Sequence, residues 1–143
     1  MKLATIGYEN DTQADVIARL KDAAVTVVLD VRAVASSRKA GFSKTILAAS
    51  LAEAGIDYVH LQKLGTPKTG RDAARAGRID EMRQIYEDHL IEPAAQFELA
   101  QAGEIAVGRK AALLCYEADH AGCHRSIVAE RLHDALGLET EDL

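Results

Sequence analysis

The chain has 143 residues, 48% hydrophobic and 27% charged, with aromatics at only 4% and no tryptophan, a composition that excludes disordered and fibrous classes. A domain of this size buries about 68–70% of the surface its unfolded chain exposes, so it needs no disulfide or metal staple to fold. Net charge is −5, but residues 32–83 carry ten Lys or Arg against five Asp or Glu, which makes the middle third the basic part.

The opening MKLATIGYEN lacks the apolar run of a signal peptide, and no stretch approaches the roughly 20 apolar residues that cross a bilayer. The expectation is a soluble, cytoplasmic protein without membrane contact. In that compartment its two cysteines are thiols, ligands or catalysts before they are a structural disulfide.

LATIG (3–7) and VTVVLDV (25–31) are short apolar runs rich in β-branched residues. Between them DTQADVIARLKDAA carries a helical stripe of Val16, Ile17 and Leu20, so the segment predicts a β-α-β unit. VTVVLDV is apolar at nearly every position, the pattern of a central parallel strand covered on both faces. Ser43 is placed to cap a helix running to about Ala54, Gly55 ends it, and IDYVHL (56–61) supplies a third strand. LGTPKTGRDAARAGR (64–78) reads as a polar connection, followed by helical patterns over 79–91 and from Pro93 to Ala102. AALLCYE (111–117) is the last clear strand. Val128, Leu132, Ala135 and Leu136 mark a closing helix from His124 that Gly137 stops. The expected architecture is a single α/β domain over 1–143, with a mostly parallel central sheet of about four or five strands and helices on both faces.

Ligands of such sheets bind beyond the carboxyl ends of the strands, where loops and helix N-termini expose side chains and backbone NH groups together. Tyr8 and Glu9 follow the first strand, Asp30 and Arg32 end the second, His60 ends the third, and Cys115 and Glu117 end the last. Asp30 and Arg32 point the same way in an extended strand. They hold one another as a structural pair, or Arg32 presents its guanidinium to a phosphate, sulfate or carboxylate. Arg38, with Lys39 and Lys44 in the segment RKAGFSK, suits an anion-facing loop, and equally a solvated surface.

The stretch CYEADHAGCHRS (115–126) gathers both cysteines, two histidines and an arginine. As a metal site it offers Cys115, His120, Cys123 and His124, with His60 or His89 as a distant partner, although zinc sites usually bring ligand pairs from separate places. As a thiol and anion site it places Gly122, Cys123, His124 and Arg125 at the N-terminus of the closing helix, whose partial positive charge binds anions and lowers a thiol pKa. Cys123 is then the thiolate nucleophile or redox centre, and Glu117 or His124 moves protons. Tyr8, Asp30, Arg32, Arg38, His60, Cys115 and Arg125 are the candidate ligand contacts, with Cys115 equally readable as an inert core sulfur. A third reading has the motif burying its polar groups mutually to fix a loop. A rival function class is a nucleic-acid module that uses the basic segment 32–83, with affinity that falls steeply with salt. His89 and His133 read as surface or packing positions, and Met82 and Tyr86 as core. No cofactor is implied.

TIGY (5–8), DVR (30–32), SR (37–38), GFSK (41–44), YVHL (58–61), LG (64–65), CYE (115–117) and CHR (123–125), in that order, resemble the bacterial domain-of-unknown-function family 488 over nearly the whole chain. The resemblance implies a compact α/β domain with Asp30, Arg32, Cys115, Glu117, Cys123, His124 and Arg125 at motif positions and, because members carry another short strand near this end, Leu138 to Thr140 as a stub of that strand; it implies no reaction. A fainter similarity, to rhodanese-like domains, lies in the Asp-Val-Arg strand end, Cys115 and Arg125-Ser126. In those domains the loop from Cys to Arg is a tight anion cradle; here nine residues intervene, a second cysteine among them, so sulfur transfer is not implied. The leading expectation is a pocket for a small anionic or nucleotide-like ligand, with thiol-dependent catalysis as its sharper form; the sequence leaves open whether the chain is an enzyme.

Overall fold

A computed structural model describes residues 1–143, except the side chain of His120, which lies outside the described residues. The strands are β1 (Lys2–Gly7), β2 (Val27–Asp30), β3 (Asp57–His60), β4 (Ala111–Cys115) and β5 (Glu139–Asp142). They form one parallel sheet in the order β3-β2-β4-β1-β5. The helices are α1 (Gln13–Asp22), α2 (Lys44–Glu53), α3 (Lys68–Arg75), α4 (Ile79–Leu90), α5 (Pro93–Gly108) and α6 (Arg125–Leu136). No helix is long and apolar enough to cross a membrane among the described residues.

Strand alternation divides the core in two. Ala4, Ile6, Val28, Ala112 and Leu114 pack with Val16 and Leu20 of α1 and Leu47 and Leu51 of α2. Leu3, Val27, Leu29, Leu113 and Cys115 face the other way, against Met82 and Tyr86 of α4, Ala102 and Ala106 of α5 and Ile127 and Val128 of α6. Strands covered on both faces have no polar side to show, which is why β4 is apolar throughout and β2 is apolar up to its terminal Asp30. β2 is interior, but the middle position belongs to β4.

Four local expectations need correction. The polar connection 64–78 contains α3; its buried face is Gly70 and Ala73, residues too small to leave a visible apolar stripe. The helix from Pro93 runs on to Gly108, because Gly103 sits against Leu132 and Leu136 and serves close packing on α6. Ser43 stands at the N-cap of α2 without capping it; its hydroxyl is exchanged with the backbone of Ser37 instead, at 3.0 and 3.2 Å. The stub after Gly137 is a full strand, β5, paired with β1 from Lys2 to Thr5.

At the carboxyl edge two glycines let backbones cross. A Cβ on Gly7 would lie 1.7 Å from the Glu117 carbonyl oxygen, and one on Gly65 would lie 2.2 Å from the Ala33 nitrogen. Neither neighbour is a side chain that can turn away. Gly7→Ala and Gly65→Ala should each lower stability by about 1–3 kcal/mol in urea denaturation. Gly108→Ala, whose added methyl meets nothing within 4 Å, should be neutral or stabilising by up to about 1 kcal/mol; equal losses at all three positions would contradict the crossing argument.

Candidate functional site

β1, β2 and β4 end side by side, and the segments that leave them enclose a cleft of about 630 Å³. Tyr8 and Glu9 come from β1, Arg32 to Val34 from β2, and Cys115 to Glu117 from β4. Gly122 to His124 close the floor before α6, and Arg71, Ala74 and Arg75 of α3 stand on the far wall.

The floor is built around His124. Its Nε2 lies 2.7 Å from the Val31 carbonyl oxygen. A carbonyl only accepts, so Nε2 carries a hydrogen and Nδ1 is left to face the sulfurs. Cys123 Sγ is 3.6 Å from Nδ1 and Cys115 Sγ is 4.0 Å from it. The Tyr86 ring packs edge-on to the imidazole at 5.1 Å, and its hydroxyl donates to the Leu64 carbonyl. The single Cys115 thiol hydrogen has two acceptors in reach, Glu117 Oε2 at 3.4 Å and the Cys123 sulfur. Both cysteines are free and buried.

These groups share protons as a set. Burial pushes the Cys123 thiol up, but hydrogen bonding from Cys115 and the charges of His124 and Arg125 outweigh it and hold Cys123 well below the usual thiol range. Burial alone would pull His124 down; the Cys123 charge and the Val31 carbonyl raise it. The hydrogen bond to Cys123, followed by burial, holds Cys115 well above the usual thiol range. Burial and the Cys123 charge raise Glu117. The shifts run in the directions that favour ionised Cys123 and protonated His124, with Cys115 kept as a thiol.

The same three donors could hold a metal. Cys115 Sγ, Cys123 Sγ and His124 Nδ1 lie within 4.8 Å of one another. Tetrahedral zinc, bonded at about 2.3 Å to sulfur and about 2.0–2.1 Å to nitrogen, sets the sulfur and nitrogen roughly 3.5 Å apart, and the spacing here is near that. The Val31 carbonyl would fix the ring as outer-shell partners do. His120, weighed as a further ligand, lies outside the described residues.

Two expected anion contacts are spent internally. Arg32 donates from Nε and Nη2 to the Asp30 carboxylate at 2.7–3.1 Å, and from Nη1 to the Tyr8 hydroxyl and the Phe42 carbonyl. Tyr58 also donates to Asp30. Burial pulls the Arg32 pKa down, but the bond and charge of Asp30 more than offset it, so the guanidinium stays charged. Arg125, only 1% exposed, gives its Nη atoms to the carbonyls of Glu117 and Ala118. It clamps the segment after β4 and is not among the cleft-lining residues. His60 bonds the Arg32 carbonyl at 2.8 Å and also lies off the cleft. Arg38, exposed, lines the cleft as expected.

The sequence reading missed Arg71 and Arg75. Arg71 is half-buried with Nη1 on the Thr66 carbonyl, and Arg75 is exposed, 3.6 Å from Asp72. Their spacing of four, with Arg78 three further on, is the signal that could have found the helix and its basic edge. Of the wider basic segment, Lys68 pairs with Asp72, Arg78 with Glu81 and Arg83 with Glu130. His89 and His133 bond the carbonyls of Lys63 and Leu138.

The family model described as "Domain of unknown function DUF488" matches residues 12–132. The chain belongs to the DUF488 family. No curated protein and no solved structure matches it. The match covers every part of this DUF488 cleft except β1 with Tyr8 and Glu9, so the Cys/His cluster and α3 fall inside the family region.

Asp30 is completely buried, so removing its charge strands the Arg32 guanidinium. Asp30→Asn should cost about 3–5 kcal/mol in chemical denaturation; a loss below about 1 kcal/mol would show that the pair behaves like a surface ion pair.

Proposed function

We propose that the DUF488 cleft takes a small anionic molecule and that Cys123 attacks it as a thiolate, with His124 as the proton donor. One observation carries this: His124 is bonded to the Val31 carbonyl through Nε2, at 2.7 Å, and turns Nδ1 to Cys123 Sγ at 3.6 Å. A nucleophile, a base and a group that orients the base are thereby aligned. Arg38, Arg71 and Arg75, around the opening, provide the positive charge that holds the ligand. Arg32 and Arg125 act behind them as scaffold. Tyr116, 46% exposed and edge-on to Tyr8 at 5.5 Å, offers a planar or nucleotide-like ligand a ring to stack on.

Simple alkylating agents test each part. An ordinary thiol has a pKa of about 8.5 and loses reactivity about tenfold per pH unit below it. Because Cys123 is shifted down and His124 up, iodoacetamide should modify Cys123 at nearly constant rate between about pH 6 and about pH 8. His124→Gln should restore the ordinary fall with acidity. A wild-type rate that already falls tenfold per unit would remove the thiolate.

Charge selection is read from anionic iodoacetate against neutral iodoacetamide. The rate ratio should favour iodoacetate more than it does for free cysteine, and should drop about tenfold when Arg38, Arg71 and Arg75 are all changed to Gln. An unchanged ratio would take the arginines out of ligand binding. One equivalent of zinc in the purified protein, absent from Cys123→Ser, would replace the nucleophile by a metal centre. Affinity for single-stranded RNA that collapses with salt would instead favour the basic segment 32–83 as the binding surface.

A further inference from the structure

The thiolate reading leaves the second sulfur, Cys115, without a task. It is 7% exposed and lines the cleft, and its Sγ lies within 4.8 Å of both Cys123 Sγ and His124 Nδ1. It also has a base of its own, because its thiol reaches Glu117 Oε2 at 3.4 Å. A core sulfur has no need of a carboxylate, and burying one beside it is unfavourable without a compensating role. Glu117 is held in place by its chain neighbours. Arg125 grips its carbonyl, and Glu9 Oε1 accepts from the NH of Ala118.

Building on the thiolate reading of Cys123, we propose that Cys115 is the resolving thiol of a two-cysteine cycle that reduces small anionic organic disulfides. In the first step Cys123 Sγ bonds to one substrate sulfur and the substrate S–S bond breaks. The departing thiolate takes the proton of His124 Nδ1, leaving a mixed disulfide and one free thiol. In the second, Glu117 takes the Cys115 proton and Cys115 Sγ attacks Cys123 Sγ. The mixed disulfide breaks, and the second product leaves as a thiol with the proton that Glu117 had accepted. Two protein thiols have become the Cys115–Cys123 disulfide, and one substrate disulfide has become two thiols. A dithiol reductant returns the protein to its starting state. The arginines at the rim select substituents that carry carboxylates, while the attacked sulfur itself is neutral.

The test uses the full, pre-reduced chain with oxidised glutathione, and cystamine as the cationic control, read by intact mass and released thiol. The expected product is a protein lighter by two hydrogens, with two thiols released and neither cysteine open to iodoacetamide. Glutathione disulfide should react about tenfold faster than cystamine. Cys115→Ser should stop at a glutathione adduct on Cys123, with Cys115→Ala as the second variant if serine lowers Tm. Glu117→Gln should slow resolution relative to adduct formation by about a hundredfold. A wild-type adduct that persists as it does in Cys115→Ser overturns the cycle and leaves the thiolate reading intact. Resolution unaffected by Glu117→Gln overturns the role of the carboxylate, and equal rates with cystamine overturn the anionic substrate class. No adduct at all, with Cys123 inert to iodoacetamide as well, removes both proposals together.

Discussion

The hydrogen bond between His124 Nε2 and the Val31 carbonyl joins the start of α6 to the end of β2. It decides which imidazole nitrogen faces the cleft, and with it how His124 meets the two sulfurs. With Nε2 engaged, Nδ1 meets two sulfurs from different elements, one ending β4 and one preceding α6. The bond itself depends on the sheet order. Because β2 and β4 are neighbours, the Val31 NH is fixed on the Leu114 carbonyl at 3.1 Å, which leaves the Val31 carbonyl beyond the last rung as a rigid acceptor.

Around this floor, charge is used in two ways. Arg32 and Arg125 are almost fully buried and are spent on groups of the protein, one on Asp30 and the other on two carbonyls of the segment after β4. An arginine so engaged is expensive to pull away, because each NH it gives up leaves a buried acceptor unpaired. The cleft's available positive charge therefore comes from Arg38, Arg71 and Arg75, which are only partly buried or exposed. Arg125 still reaches the cleft floor through its field, which helps to lower the Cys123 thiol pKa.

How much of this could be read from the amino-acid order follows from size and polarity. Strands and most helices were legible because Val, Ile and Leu recur at the right spacing. α3 was not, since its buried face is a glycine and an alanine, and with it went Arg71 and Arg75. The strand-end residues were legible as a group, and Asp30 with Arg32 was read as a same-side pair, which is how they sit. What a linear reading does not carry is competition for donors. Arg125 beside Cys123 looks like an anion contact until the carbonyls of Glu117 and Ala118 are seen to occupy it, and His60 looks like a pocket residue until the Arg32 carbonyl claims its ring. The pairing of His124 with Val31, 93 positions apart, had no local signal at all.

Under the proposed function, the distribution of charge also constrains what can react in the cleft. On that reading a thiolate on Cys123 and the carboxyl of Glu117 sit at the bottom, where burial weakens screening, while the exposed or half-buried arginines stand at the rim. A ligand whose negative charge lay at the reacting atom would be brought against the thiolate, at a cost that rises as water leaves. A ligand with negative charge at its periphery and a neutral electrophilic centre meets neither difficulty: its anionic groups stay with Arg38, Arg71 and Arg75, and its centre reaches Cys123. The depth order of acids below and arginines above thus favours substrates of that shape over simple inorganic anions, which have no neutral part to place on the floor.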